Sequence, residues 1–135
     1  MKGSNKVIAE LNGLLAWELA AMDQYFIHAR MYDDWGLQKL FERIDHEFDD
    51  EKGHAAALIE RMLFLEGTPD MTTRPPLQVG KTVPEMLQND LNVELAVDQA
   101  LKDAIKVCES EQDYHSREIL EKLLEDTEVD HTWWL

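Results

Sequence analysis

A chain of 135 residues is the size of one domain, and its 28 acidic against 13 basic residues leave a net charge of -15. That balance repels a phosphate backbone and excludes nucleic acid as an ordinary partner. Cys108 stands alone, so no intrachain disulfide forms, and Glu10 and Glu18 break the first apolar run before it could serve as a signal peptide or membrane span; the expected location is the cytoplasm.

Ser4 is placed to cap a first helix, and beyond it Val7, Leu11, Leu14, Leu15, Leu19, Met22, Phe26 and Ala29 recur at helical spacing as far as about Tyr32. Glu18 falls in the middle of that stripe. A carboxylate on a core-facing position costs several kcal/mol unless something meets it. Asp33-Asp34-Trp35-Gly36 breaks the pattern, and Leu40, Ile44, Phe48, Leu58 and Met62 define a second stripe that forms an antiparallel hairpin with the first. Glu51 interrupts this stripe, His54 flanks it, and Gly67 is expected to end the helix as its C-terminal cap.

From Gly67 to Thr82, Pro69, Pro75 and Pro76 rule out a helix. An extended connector there spans roughly 50 Å, the length of a helix of about thirty residues, so it is expected to cross the whole bundle. Thr82-Val83-Pro84-Glu85 resembles a capping box, and Leu87, Leu91, Leu101, Ile105 and Cys108 follow on one face that Glu94 interrupts. The pattern lapses around Glu109 to Asp113, and Leu120, Leu123, Leu124 and Leu135 mark a fourth helix carrying Glu128 and His131. Two hairpins joined by one long crossover form an all-α, ferritin-like antiparallel four-helix bundle, here a single domain over residues 1–135.

The halves repeat one another. Each supplies a lone glutamate and then a Glu-x-x-His: Glu18 with Glu51 and His54, and Glu94 with Glu128 and His131. The intervals are 33 residues from Glu18 to Glu51 and 34 from Glu94 to Glu128, so a pseudo-twofold bundle brings all six to one level. Residues three apart share a helix face, and four carboxylates with two imidazoles are the ligand set of bundle-core di-iron and di-manganese proteins. Carboxylates bridge and neutralise two cations, imidazoles fix geometry, and redox-active iron fits this donor set best. Rubrerythrin-like peroxidases and manganese catalases share the ligands, whereas in a metal-free structural bundle the pairs would be coincidental.

With these residues in place, Met1-Lys2-Gly3, the run Asp23-Gln24-Tyr25-Phe26-Ile27-His28-Ala29-Arg30-Met31, Trp35-Gly36-Leu37, and Leu63-Phe64-Leu65-Glu66-Gly67-Thr68-Pro69 resemble bacterioferritin signatures over essentially the whole chain. The resemblance implies a di-iron ferroxidase centre of Glu18, Glu51, His54, Glu94, Glu128 and His131. Fe(II) would be oxidised there by dioxygen or peroxide and stored as ferric mineral in a shell of twenty-four subunits. His46 and Asp50 match residues that can hold iron on the inner surface, and Tyr25 lies near Glu18. The haem-ligating methionine of the family is Lys52 here, which offers iron no lone pair when protonated, so no haem b is expected in a shell of this subunit alone; a mixed shell with a haem-binding bacterioferritin subunit is the other route. The family's short fifth helix is expected to be absent, since the chain stops at Leu135. Relative to the family pattern the last Glu-x-x-His arrives one residue late, with Thr127 where the ligand glutamate is expected. A π-bulge between about Leu123 and His131 would absorb that residue and return Glu128 to the site.

Overall fold

Ser4 starts the first helix as its position suggested: its Oγ accepts from the backbone N–H groups of Lys6 and Val7 at 3.2 and 3.4 Å, and α1 runs Asn5–Asp34. In the computed structural model, backbone is described for residues 1–132 and side chains for residues 1–129. α2 spans Gln38–Phe64, α3 spans Val83–Ser110 and α4 spans Tyr114–Asp126. Thr82 caps α3 by accepting from the Glu85 N–H at 3.4 Å, with Pro84 in the first turn where a missing N–H costs nothing. The described residues contain no strand, and the four helices form an all-α bundle of two hairpins, α1 with α2 and α3 with α4.

Three helices end in the same way. Gly36, Glu66 and Gln112 take left-handed backbone at φ of 75, 62 and 58°, each followed by a residue whose N–H reaches back five positions to a carbonyl of the last turn. After α2 these bonds are Glu66 N–H to Leu63 O at 3.1 Å and Gly67 N–H to Met62 O at 2.8 Å. The left-handed residue is therefore Glu66, which corrects the expectation that Gly67 would fill it. Gly67 has a different reason to be glycine: a Cβ there would lie 2.9 Å from Ile8 Cγ2.

The connector between α2 and α3 follows α1 as a long crossover. Asn12 Nδ2 donates to Thr68 O at 3.1 Å and Asn12 Oδ1 accepts from the Asp70 N–H at 2.8 Å; further on, Arg74 reaches Asp23 at 2.7 Å and Gly80 N–H reaches His28 at 3.4 Å. From Asn12 to His28 is about 24 Å of helix, so the chain enters α3 near the opposite end of the bundle from where it left α2.

Between the helices, Leu11, Leu14, Leu15, Tyr25, Tyr32, Ile44, Leu58, Met62, Met86, Leu101 and Leu120 are fully buried. Each large apolar side chain taken from water contributes about 2 kcal/mol. The same interior holds charged groups, with Glu18, Glu47, Glu51, His54, Asp90 and Glu94 all buried. Among the described residues no helix is long and apolar enough to cross a membrane.

Candidate metal centre

Glu18 on α1, Glu51 and His54 on α2, and Glu94 on α3 meet at mid-bundle, as the helical periodicity requires of charges set into apolar stripes. Glu18, Glu51 and His54 each present a donor atom such that all three atoms lie within 4.8 Å of one another. His54 Nδ1 is 3.0 Å from Glu18 Oε2 and 3.7 Å from Glu51 Oε2. Glu51 hydrogen-bonds both Glu18 and Glu94. Burial, then the charges of Glu18 and Glu94, hold its carboxyl well above the usual range near 4.5.

Tyr25, two helical turns along α1 from Glu18, is fully buried and its hydroxyl donates a short hydrogen bond to Glu94 Oε1. Burial first, and then Glu94, Glu51 and Asp90, push the phenol well above 10. It therefore stays a donor and fixes the orientation of Glu94.

Asp126, the last residue of α4, did not stand out in the sequence. Its Oδ2 lies 3.3 Å from His54 Nε2. Its signal was available: it closes the apolar run of the fourth helix just before the second Glu-x-x-His, on a turn that faces α2. An oxygen faces each ring nitrogen, Asp126 at Nε2 and Glu18 at Nδ1; were Nδ1 given to a cation, Nε2–H would donate to Asp126.

The fourth helix departs from expectation in one respect. A π-turn does occur, over Thr127–Thr132, inside the stretch where the late Glu-x-x-His called for one. It does not bring Glu128 to the cluster. Glu128 is 45% exposed and its Oε2 lies 3.4 Å from Lys102 Nζ, while Thr127 is fully buried and its hydroxyl donates to Leu123 O at 2.9 Å. That back-bond to the preceding turn competes with the helical ladder and keeps Thr127, not Glu128, on the inward side. The side chain of His131 lies outside the described residues.

The remaining expected positions are peripheral. His46 Nε2 and Asp50 Oδ2 are 3.4 Å apart, with His46 largely exposed, one turn before Glu51. Lys52 is exposed beside Glu51.

A second buried polar layer, missed at the sequence level, lies one turn below the first. Asp90, one turn before Glu94 on α3, has Oδ1 2.8 Å from His28 Nδ1 and 2.8 Å from Gln24 Nε2, both on α1. Gln24 and His28 in turn receive the N–H groups of Gln78 and Gly80 at 3.1 and 3.4 Å. This layer ties the end of the crossover to the floor of the centre.

Four helices, one long crossover and a Glu, Glu-x-x-His cluster at mid-bundle agree with the comparisons with known proteins. A ferritin-like domain matches residues 8–135. The chain belongs to the ferritin-like family. It is 62% identical to a bacterial ferritin of Synechocystis sp. over 135 residues, all of this chain and 86% of that protein. It is 54% identical to a bacterial ferritin of Pseudomonas aeruginosa over 136 residues, 100% of this chain and 87% of that one. A bacterioferritin of Brucella melitensis is 39% identical over 128 residues, 95% of this chain and 80% of the relative. Within this ferritin-like bundle the donors of α1, α2 and α3 fit hard or borderline divalent cations: carboxylate oxygens and one imidazole nitrogen, buried and preoriented.

Proposed function

We propose that this chain stores and detoxifies iron, oxidising Fe(II) to Fe(III) at a buried di-iron centre and retaining the product as ferric mineral inside a closed shell. The observation that carries the reading is the convergence of Glu18, Glu51 and His54 within 4.8 Å, with Glu94 bonded to Glu51 on the other side. Membership of the ferritin-like family supports iron as substrate and assembly into a shell. Iron bound at the centre supplies the electrons that reduce dioxygen or peroxide.

The protein's own groups do the rest. Glu51 sits between Glu18 and Glu94 and would be the carboxylate able to hold two cations; burial and the charges of its neighbours oppose its ionisation, and a bound cation would offset both. Tyr25 keeps Glu94 oriented, and Asp126 keeps His54 oriented. Burial of Glu18, Glu51 and Glu94 excludes bulk water, so each charge acts at full strength on a bound ion. The net charge of -15 concentrates cations around the protein.

The shell is proposed to hold twenty-four subunits in the cytoplasm, and Lys52, where the family offers a methionine, is incompatible with haem b ligation by this subunit alone. A shell mixed with a haem-binding bacterioferritin subunit, which would supply the methionine, is the route left for haem. Aerobic loading with Fe(II), followed by sizing and iron analysis, tests the reading. A hollow particle that retains many irons per chain, with fast oxidation lost in Glu51→Ala while the particle survives, is the expected result. Oxidation without retention points instead to a peroxidase or catalase on this bundle, and unchanged oxidation in Glu51→Ala removes the centre from the mechanism.

A further inference from the structure

The two halves of the centre are alike in the sequence and unlike in the fold. On the first side, Glu18, Glu51 and His54 converge. On the second, Glu94 is buried and held by Tyr25, but the carboxylate that spacing pairs with it is elsewhere. Glu128 lies 3.4 Å from Lys102 Nζ, which also holds Asp98 at 2.9 Å, so it forms one corner of an ion-pair cluster on the outer face of α3. Thr127 occupies the inward position, fully buried, with its hydroxyl proton given to Leu123 O. That oxygen is neutral and a poor donor to a divalent cation beside a carboxylate.

We infer that the centre holds its two cations unequally: tightly at Glu18, Glu51 and His54, and more weakly on the Glu94 side, because Thr127 stands inward where a carboxylate is needed and Glu128 is engaged by Lys102. This rests on the iron-oxidising reading above. The charge count agrees with it. Glu18, Glu51 and Glu94 bring three negative charges; a first divalent ion consumes two of them and leaves one for the second. An inward Glu128 would have left two. Loss of even an outer partner of a metal ligand costs about 10–100-fold in affinity, and loss of a carboxylate ligand is expected to cost at least as much.

Anaerobic calorimetric titration of the assembled, metal-free protein with Co(II) reads the inference without turnover, and cobalt's visible absorption reports the donor set. One tight equivalent per chain is expected, with a second at least tenfold weaker. Glu128→Gln, a surface change that the fold tolerates, leaves both equivalents in place. Thr127→Glu tightens the second at least tenfold. Two equal tight equivalents in the wild type, or a weaker second equivalent in Glu128→Gln, overturn the inference alone. Absence of any tight equivalent overturns the iron reading with it.

Discussion

Asp126 grips the far side of the same imidazole whose near side faces Glu18: Oδ2 is 3.3 Å from His54 Nε2, and Nδ1 is 3.0 Å from Glu18 Oε2. The ring is thus held from α4 and from α1 at once. Asp126→Ala removes the acceptor for Nε2–H and is expected to weaken Co(II) at the tight position about 10–100-fold. Asp126→Asn keeps a carbonyl oxygen there and should retain most of the affinity. Asp126 is half exposed, so metal-free stability should move by no more than about 0.5 kcal/mol. Wild-type affinity in the alanine variant would show that His54 is oriented by something else.

Glu51 gives the metal-free fold an inverted pH dependence. Its carboxyl titrates at about 4.5 when unfolded and well above that when folded, because burial and the charges of Glu18 and Glu94 oppose ionisation. In the window between the two values the folded chain binds more protons than the unfolded one, so stability falls as pH rises through it. Melting temperature of the metal-free protein should therefore decline from about pH 4.5 upward. In Glu51→Gln the decline should flatten, and a saturating divalent cation should reverse it, since the ion takes the proton's place. A wild-type profile that tracks Glu51→Gln at every pH would refute the shift.

Much of this was legible in the sequence, for reasons that also explain what was not. Glu18 and Glu94 announced themselves because a charge on an apolar stripe must be buried, and burial demands a partner. Ser4 and Thr82 were readable as caps because their bonds are local. Register on α4 was not, since counting positions assumes a constant turn, and the π-turn over Thr127–Thr132 changes it. The sequence called for that turn with a phase that returns Glu128 to the site, whereas the structure has Thr127 inward, its hydroxyl donating to Leu123 O, and Glu128 beside Lys102. Asp126, His28 and Asp90 are polar residues on mixed faces, and only the neighbouring helix tells an inward one from a solvated one.

Arg61 joins the end of α2 to the start of α4. Its Nε donates to Ser116 Oγ at 2.8 Å and a terminal nitrogen donates to Asp113 Oδ1 at 3.1 Å, while Asp113 caps α4 by accepting from the Ser116 N–H at 3.0 Å. Burial pushes the Asp113 carboxyl up, but its bonds to Ser116 and Arg61 outweigh that and leave it below the usual 3.8. Its contribution is present at neutral pH and is lost as pH falls through the lowered folded value. Asp113→Ala removes the cap and strands a buried guanidinium, at a cost of about 3 kcal/mol in denaturant unfolding. A loss near zero would mean that Arg61 finds another partner.

Asp90 closes the last circuit, between the floor of the centre and the crossover. It is fully buried and accepts from Gln24 Nε2 and His28 Nδ1, both at 2.8 Å. Those bonds favour its charged form, yet burial weighs more and its carboxyl remains above the usual range. Because Gln24 and His28 spend their other ends on Gln78 and Gly80, removing Asp90 frees both to turn away from the crossover. The crossover has little slack there, since a Cβ on Gly80 would lie 2.8 Å from the Met86 nitrogen. Asp90→Ala leaves two buried donors unpaired and is expected to cost about 3 kcal/mol. Hydrogen exchange should quicken at Gln78 and Gly80 more than at the amides of α2, because opening starts where the bonds were lost. Glu18, Glu51 and His54 are left untouched, so the tight Co(II) equivalent should persist in the folded variant. A stability loss without faster exchange at Gln78 and Gly80 would break the link between this layer and the crossover, and loss of the tight equivalent would place Asp90 in the centre itself.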